Sequence, residues 1–123
     1  MSEVNDESIL TSIKKTIGIH PEDVAFDSDI IMHINSVFMI LNQLGVGPSE
    51  GFRIKDNSTT WSEYIGEGSN LESVKSYIGL KVKLLFDPPS SSSAMEATNR
   101  LVNELEWRLN VETETPSSTI NKT

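Results

Sequence analysis

A chain of 123 residues with 37% hydrophobic content has the size of one domain and enough material for a core, and without cysteine it must hold itself together by packing, with no disulfide or thiolate-bound metal. Lys and Arg number 10 against 18 Asp and Glu, and the net charge of −8 opposes tight phosphate-backbone binding, which needs basic side chains to displace counterions. The N-terminus lacks the basic segment and apolar core of a signal peptide, and no apolar run nears the roughly 20 residues of a membrane span, so a soluble, non-secreted protein is expected.

Residues Met1 to Asp6 are polar and are expected to be flexible, with order beginning at about Glu7. Ile9, Leu10, Ile13 and Ile17 recur at helical spacing, Asp6 and Glu7 suit the amino end of a helix, and Gly18 closes it. After the turn His20-Pro21-Glu22-Asp23, Asp27 or Ser28 is placed to cap a long second helix that ends at Leu44 before Gly45. Phe26, Ile30, Ile34, Val37, Leu41 and Leu44, widened by Ile31 and Phe38, form its core stripe. Met32 and Met39 fall on its other side among Ser28, Asn35, Ser36 and Gln43.

From Gly45 to Thr60 the composition predicts a long loop, in which Phe52-Arg53-Ile54-Lys55 alternates like a short strand or extended arm. Thr60, Trp61 and Glu63 predict a capped helical turn to Ile65, broken by Gly66-Glu67-Gly68. Asn70 is placed to cap the next helix, whose apolar residues from Leu71 to Phe86 cover more than half its circumference and mark it as central. Asp87-Pro88-Pro89 stops it, because proline removes an amide donor and clashes with the preceding turn. Ser92 or Ser93 then caps a last helix with Ala94, Thr98, Leu101, Val102, Leu105 and Leu109 as its buried face. The predicted architecture is all-α: a small bundle of about four main helices over residues 7–110, with a disordered C-terminal tail over 111–123 that has too little apolar content to offset the entropy of ordering.

Catalytic patterns are not found. His20 sits in a turn, and His33 lies beside the core stripe with no motif around it, which favours a packing or surface role. Asp27-Ser28-Asp29 begins like a calcium loop, but Met32 and Phe38 stand where glycine and glutamate are needed, so helix capping is the better reading. Gly45-Val46-Gly47-Pro48 lacks the further glycine and basic residue of a phosphate loop. No catalytic, metal or cofactor site is therefore expected.

The remaining features concern surfaces. Trp107 projects away from the buried face of the last helix, near Arg100, Glu96 and Asn103, and Trp and Arg are the types most enriched at binding hot spots. The competing reading folds Trp107 under the tail or the long loop. Met32 and Met39 suit either an interface or a second core beneath that loop. Lys81, in the middle of an apolar arc, either snorkels to the rim, which is favoured, or pairs with a carboxylate. Lys75 and Lys83 read as solvated charges paired with Glu72 and other acids.

Ile40-Leu41-Asn42-Gln43-Leu44-Gly45-Val46-Gly47-Pro48, then Val82-Lys83-Leu84-Leu85-Phe86-Asp87-Pro88-Pro89, and last Glu104-Leu105-Glu106-Trp107-Arg108-Leu109 occur in an order that resembles the head-tail connector (adaptor) proteins of long-tailed phages and prophages of Gram-positive bacteria. The likeness covers about Ile9 to Asn110 and rests on packing residues. It implies a virion protein, assembled in the host cytoplasm, that forms a ring of about twelve subunits under the portal protein and joins it to the next neck or tail-completion protein. It implies that DNA passes through the channel without specific binding, and it implies no reaction, cofactor or membrane. Trp107, Arg100, Met32, Met39, Phe52 and Ile54 become candidates for subunit or portal contact, with Ile120 as the one sizeable apolar anchor in a tail that would dock on the portal. The alternative is a small acidic helical regulatory protein that binds or mimics a nucleic-acid partner.

Overall fold

The computed structural model describes residues 7–65 and 71–114, and within them five helices and no strand: α1 (Ile9–Thr16), α2 (Asp27–Gln43), α3 (Trp61–Tyr64), α4 (Leu71–Phe86) and α5 (Ser92–Glu114). The all-α bundle expected from the periodicity is the fold found. The expectations for Met1 to Asp6, the Gly66 to Gly68 break, the Asn70 cap and Ile120 lie outside the described residues.

α1 starts because the Ser8 side chain accepts the Thr11 amide at 3.2 Å, and its Ile9, Leu10 and Ile13 are buried. Glu7, placed by charge at the helix start, also reaches across to pair with Lys15. On the inner side of α2, Ile30, Ile34, Val37, Phe38 and Leu41 are buried as the stripe predicts. Two expectations about its start are corrected. Neither Asp27 nor Ser28 caps the helix, since the cap position falls on Phe26 without a side-chain bond. The Asp27 carboxylate instead stands 2.8 Å from the ammonium of Lys14, which also donates to the Pro21 carbonyl at 2.9 Å. Lys14 is 2% exposed, and a cation that dry is tolerable only with both partners in place.

α4 is the central helix, packed against α1, α2 and α5, with Val74, Tyr77, Ile78, Gly79 and Val82 buried. Gly79 permits the close approach of α1, because a Cβ there would lie 2.7 Å from Thr16 Cγ2. Lys81 is half-buried and forms no ion pair among the described residues. Lys75 differs from expectation: its ammonium lies 5.6 Å from the centre of the Trp61 ring, a cation–π contact. Lys83 pairs with Asp87 at 3.0 Å just before the double proline.

α5 is capped by Ser91, whose hydroxyl accepts the Ala94 amide at 3.1 Å, one residue earlier than expected. It runs four residues beyond Asn110, to Glu114. Its buried face is narrower than expected. Val102 and Leu109 are buried and Leu105 half-buried, but Leu101 is 46% exposed and Ala94 is exposed, since α4 alone backs this helix extensively. To this apolar contact the Tyr77 hydroxyl adds a polar tie, donating to Glu106 at 2.7 Å.

The segment from Gly45 to Thr60 is clasped to α2. Asn35 donates to the Ile54 carbonyl at 3.0 Å and accepts the Ile54 amide at 2.8 Å, while Asn42 holds the Pro48 carbonyl at 3.0 Å. Gly47, at φ +87°, lies against the Tyr64 ring. At the far end Thr60 and Glu63 form the predicted capping box, and the Ile9 amide donates to the Thr59 carbonyl at 2.9 Å. These bonds fix α3 so that Trp61 and Tyr64 enter the core, at 1% and 3% exposure.

Candidate assembly surfaces

Along the outer face of α2, Ser28, Met32, Asn35, Ser36 and Met39 meet the extended arm 50–55 across an open groove of about 860 Å³. The Asn35 clasp sets the spacing of its two walls, because it bonds both polar groups of Ile54 and so fixes the register of the arm. Phe52 anchors the same arm from within, packed edge-on against Phe38 at 5.3 Å and against Tyr64 at 5.1 Å. Met32 and Met39 remain 57% and 66% exposed, so the loop does not close a second core over them.

The structure therefore brings Met32, Met39, Phe52 and Ile54 to one groove, but not on equal terms. Ile54 is 2% exposed and belongs to the core, which corrects its place among the contact residues: its side chain points inward because both of its backbone groups are held by Asn35. The arm as a whole is bound back to its own chain through Asn35 and the Phe52 contacts.

Trp107 and Arg100 lie elsewhere, on α5. Trp107 is 67% exposed, and Arg100, Glu96 and Asn103 on the same helix are exposed as well. The long loop thus does not cover the indole. Glu104, one turn before Trp107, pairs with Arg108 at 2.8 Å, while Arg100 forms no ion pair among the described residues.

A third apolar surface was not expected from the sequence. Phe26 and Phe86 stack edge-on at 5.4 Å where the start of α2 meets the end of α4, with Val24, Phe26 and Leu85 left 67%, 43% and 48% exposed. Phe26 and Leu85 had been counted with the core. The available signal was Leu84-Leu85-Phe86, since three successive apolar residues cannot all face one side of a helix.

The polar groups show structural roles. His20 accepts the Glu22 amide at 3.1 Å within its turn, and His33 is half-buried on α2. Burial holds the hydroxyls of Tyr64 and Tyr77 protonated well above the usual phenol range, and the adjoining Glu106 carboxylate pushes Tyr77 further. Asp56 titrates below the usual carboxylate range because the Ser58 hydroxyl and amide bond to it in a surface turn. Among the described residues no three His, Cys, Asp or Glu side chains come together as metal ligands, and no helix is long and apolar enough to cross a membrane.

The family model described as phage connector protein matches residues 9–116. The chain belongs to the phage connector protein family. No curated protein and no solved structure matches it. The match opens on the first residue of α1 and runs past the end of α5, so the connector family's span takes in the whole bundle, the groove and Trp107.

Proposed function

We propose that this connector is a structural adaptor that forms a ring of about twelve subunits beneath the portal protein and joins the DNA-filled capsid to the neck or tail-completion protein below. The observation that carries the reading is the presence of two dissimilar exposed surfaces on one connector subunit: a methionine-lined groove on α2 and an exposed tryptophan on α5, with α4 packed against both helices. Unlike surfaces are what head-to-tail association requires, and such association forms a ring where the rotation between neighbours closes. Met32, Met39, Phe52, Trp107 and Arg100 serve in subunit or portal contact, and Ile120 anchors the C-terminal segment on the portal. The net charge of −8 keeps DNA from adhering as it passes through the channel. The work is done by shape and needs no covalent chemistry, at the head-tail junction of the virion after assembly in the host cytoplasm.

Light scattering after size exclusion, with and without purified portal protein, tests this directly. A defined oligomer that co-elutes with the portal and appears as a ring in negative stain is the expected result. A chain that stays monomeric and ignores the portal overturns the adaptor role.

A further inference from the structure

We infer that Trp107 of one subunit seats in the Met32–Met39 groove of the next, so that the two surfaces are the two halves of a single head-to-tail joint. The inference rests on the adaptor reading and specifies its subunit contact. The chemistry of the two halves matches. An indole carries about 150–250 Å² of surface to bury, and thioether sulfurs pack well against aromatic edges. The groove, at about 860 Å³, has room for the indole and its neighbours, and offers Met32, Met39 and Phe52 as its apolar lining.

The charges match as well. Arg53 and Lys55 stand exposed on the groove's arm and form no ion pair among the described residues, Lys55 having only the neighbouring Asp56 within electrostatic reach. On α5 the exposed acids Glu96 and Glu104 precede Trp107, and the exposed bond from Glu104 to Arg108 is of the weak kind that exchanges readily. In the other sense, Glu50 lines the groove and Arg100 on α5 is unpaired among the described residues. Both halves are preformed. Asn35 and the Phe38–Phe52–Tyr64 cluster hold the arm, and Trp107 sits on a regular helix, so little order is lost on docking. The groove and Trp107 lie on different elements, each packed against α4, and a joint between these unlike surfaces of two copies is head-to-tail, as a ring requires and a two-fold dimer does not.

The absence of cysteine makes the test clean. Ser36→Cys in the groove wall and Asn103→Cys one turn before Trp107 are both at exposed positions and leave the methionines and the tryptophan intact. Oxidised together under conditions where the protein oligomerises, the two variants are expected to form a disulfide joining position 36 of one copy to position 103 of another, and neither variant alone is expected to cross-link. Trp107→Ala should weaken self-association about 30-fold, as for a hot-spot residue. Arg53→Glu should weaken it too, with recovery on adding Glu104→Lys. Oligomers that form with no 36-to-103 disulfide overturn the joint and leave the adaptor role standing. So do self-linking of Ser36→Cys, which marks a two-fold contact, and its capture by the portal in place of a second copy. A chain that remains monomeric even with portal overturns both.

Discussion

Among the described side chains nearly all of the buried apolar residues come from α1 to α4 and the long loop, whereas α5, the longest helix at 23 residues, buries Val102 and Leu109 alone of those described. The same contrast divides the two tryptophans: Trp61 is 1% exposed and Trp107 67%. A helix with so few core residues adds little to burial, and Val102, Leu105 and Leu109 hold it on α4 together with the polar tie from Tyr77 to Glu106. The lesson is a division of labour. One part of the chain makes most of the core, and the other, in the proposed adaptor, would be a rigid mount for exposed side chains.

The sharpest way to break this contrast is on the core side. Gly47→Ala forces a side chain onto a backbone at φ +87° and sets its Cβ 2.6 Å from Tyr64 Cε1, where the ring is already wedged against Phe38 and Phe52. A loss of about 3 kcal/mol in urea unfolding is expected from strain and overpacking together. Gly18→Ala, at φ +89° but with nothing within 4 Å, isolates the backbone part and should cost about 1 kcal/mol. Equal losses at the two positions would show that the Tyr64 wedge is not tight. Next in size is Lys14→Met, expected to cost about 2 kcal/mol. That figure is below the cost of breaking a fully buried pair because the Asp27 side chain, 27% exposed, keeps some water. Adding Asp27→Leu should return most of the loss, since an apolar pair replaces an ionic one; no recovery would mean that the Pro21 carbonyl is the partner that matters.

At the seam between the two regions, Tyr77→Phe removes the bond to Glu106 and should cost about 1 kcal/mol at neutral pH. The pH dependence has a definite sign. Burial and the Glu106 carboxylate raise the folded-state value of Tyr77 above the ordinary 10.0, so the folded chain retains a proton that the unfolded chain releases. Its contribution is therefore complete below about pH 10 and is lost as the pH rises further. Tyr64, raised by burial alone, acts in the same direction from the core side. Tyrosinate absorbance followed beside the unfolding midpoint checks this, and Tyr77→Phe should flatten part of the alkaline fall. An unchanged alkaline profile would assign that fall to Tyr64.

The fold was legible where periodicity decides it. The stripe of α2, the central place of α4, the double-proline stop and the Thr60–Glu63 capping box all follow from local rules. What could not be read required partners distant in sequence. Lys14 sits on the buried side of α1 by virtue of Asp27 and Pro21, which a helical wheel does not contain. Ile54 became core because Asn35, 19 residues earlier, clasps its backbone, so an alternating arm resembled a surface feature. Phe26 and Leu101 have the right spacing for a core but remain 43% and 46% exposed, with no element among the described residues covering them. Trp107 was legible as outward-facing by helical geometry, and the groove was not, because its second wall is the loop.

The smallest expected effect on stability is the most telling. Trp107→Ala should change the unfolding free energy of the monomer by less than about 0.5 kcal/mol, since it removes an exposed ring and introduces the best helix former. Its emission signature gives an independent reading: the red-shifted component open to soluble quenchers should vanish, leaving the shielded emission of Trp61. Under assembling conditions the same variant should still fail to associate normally, which separates display from folding within one experiment. A loss above about 1 kcal/mol would place the indole in the core and dissolve the distinction between the two regions, because α5 would then owe its position to Trp107 and could not offer it to a neighbour.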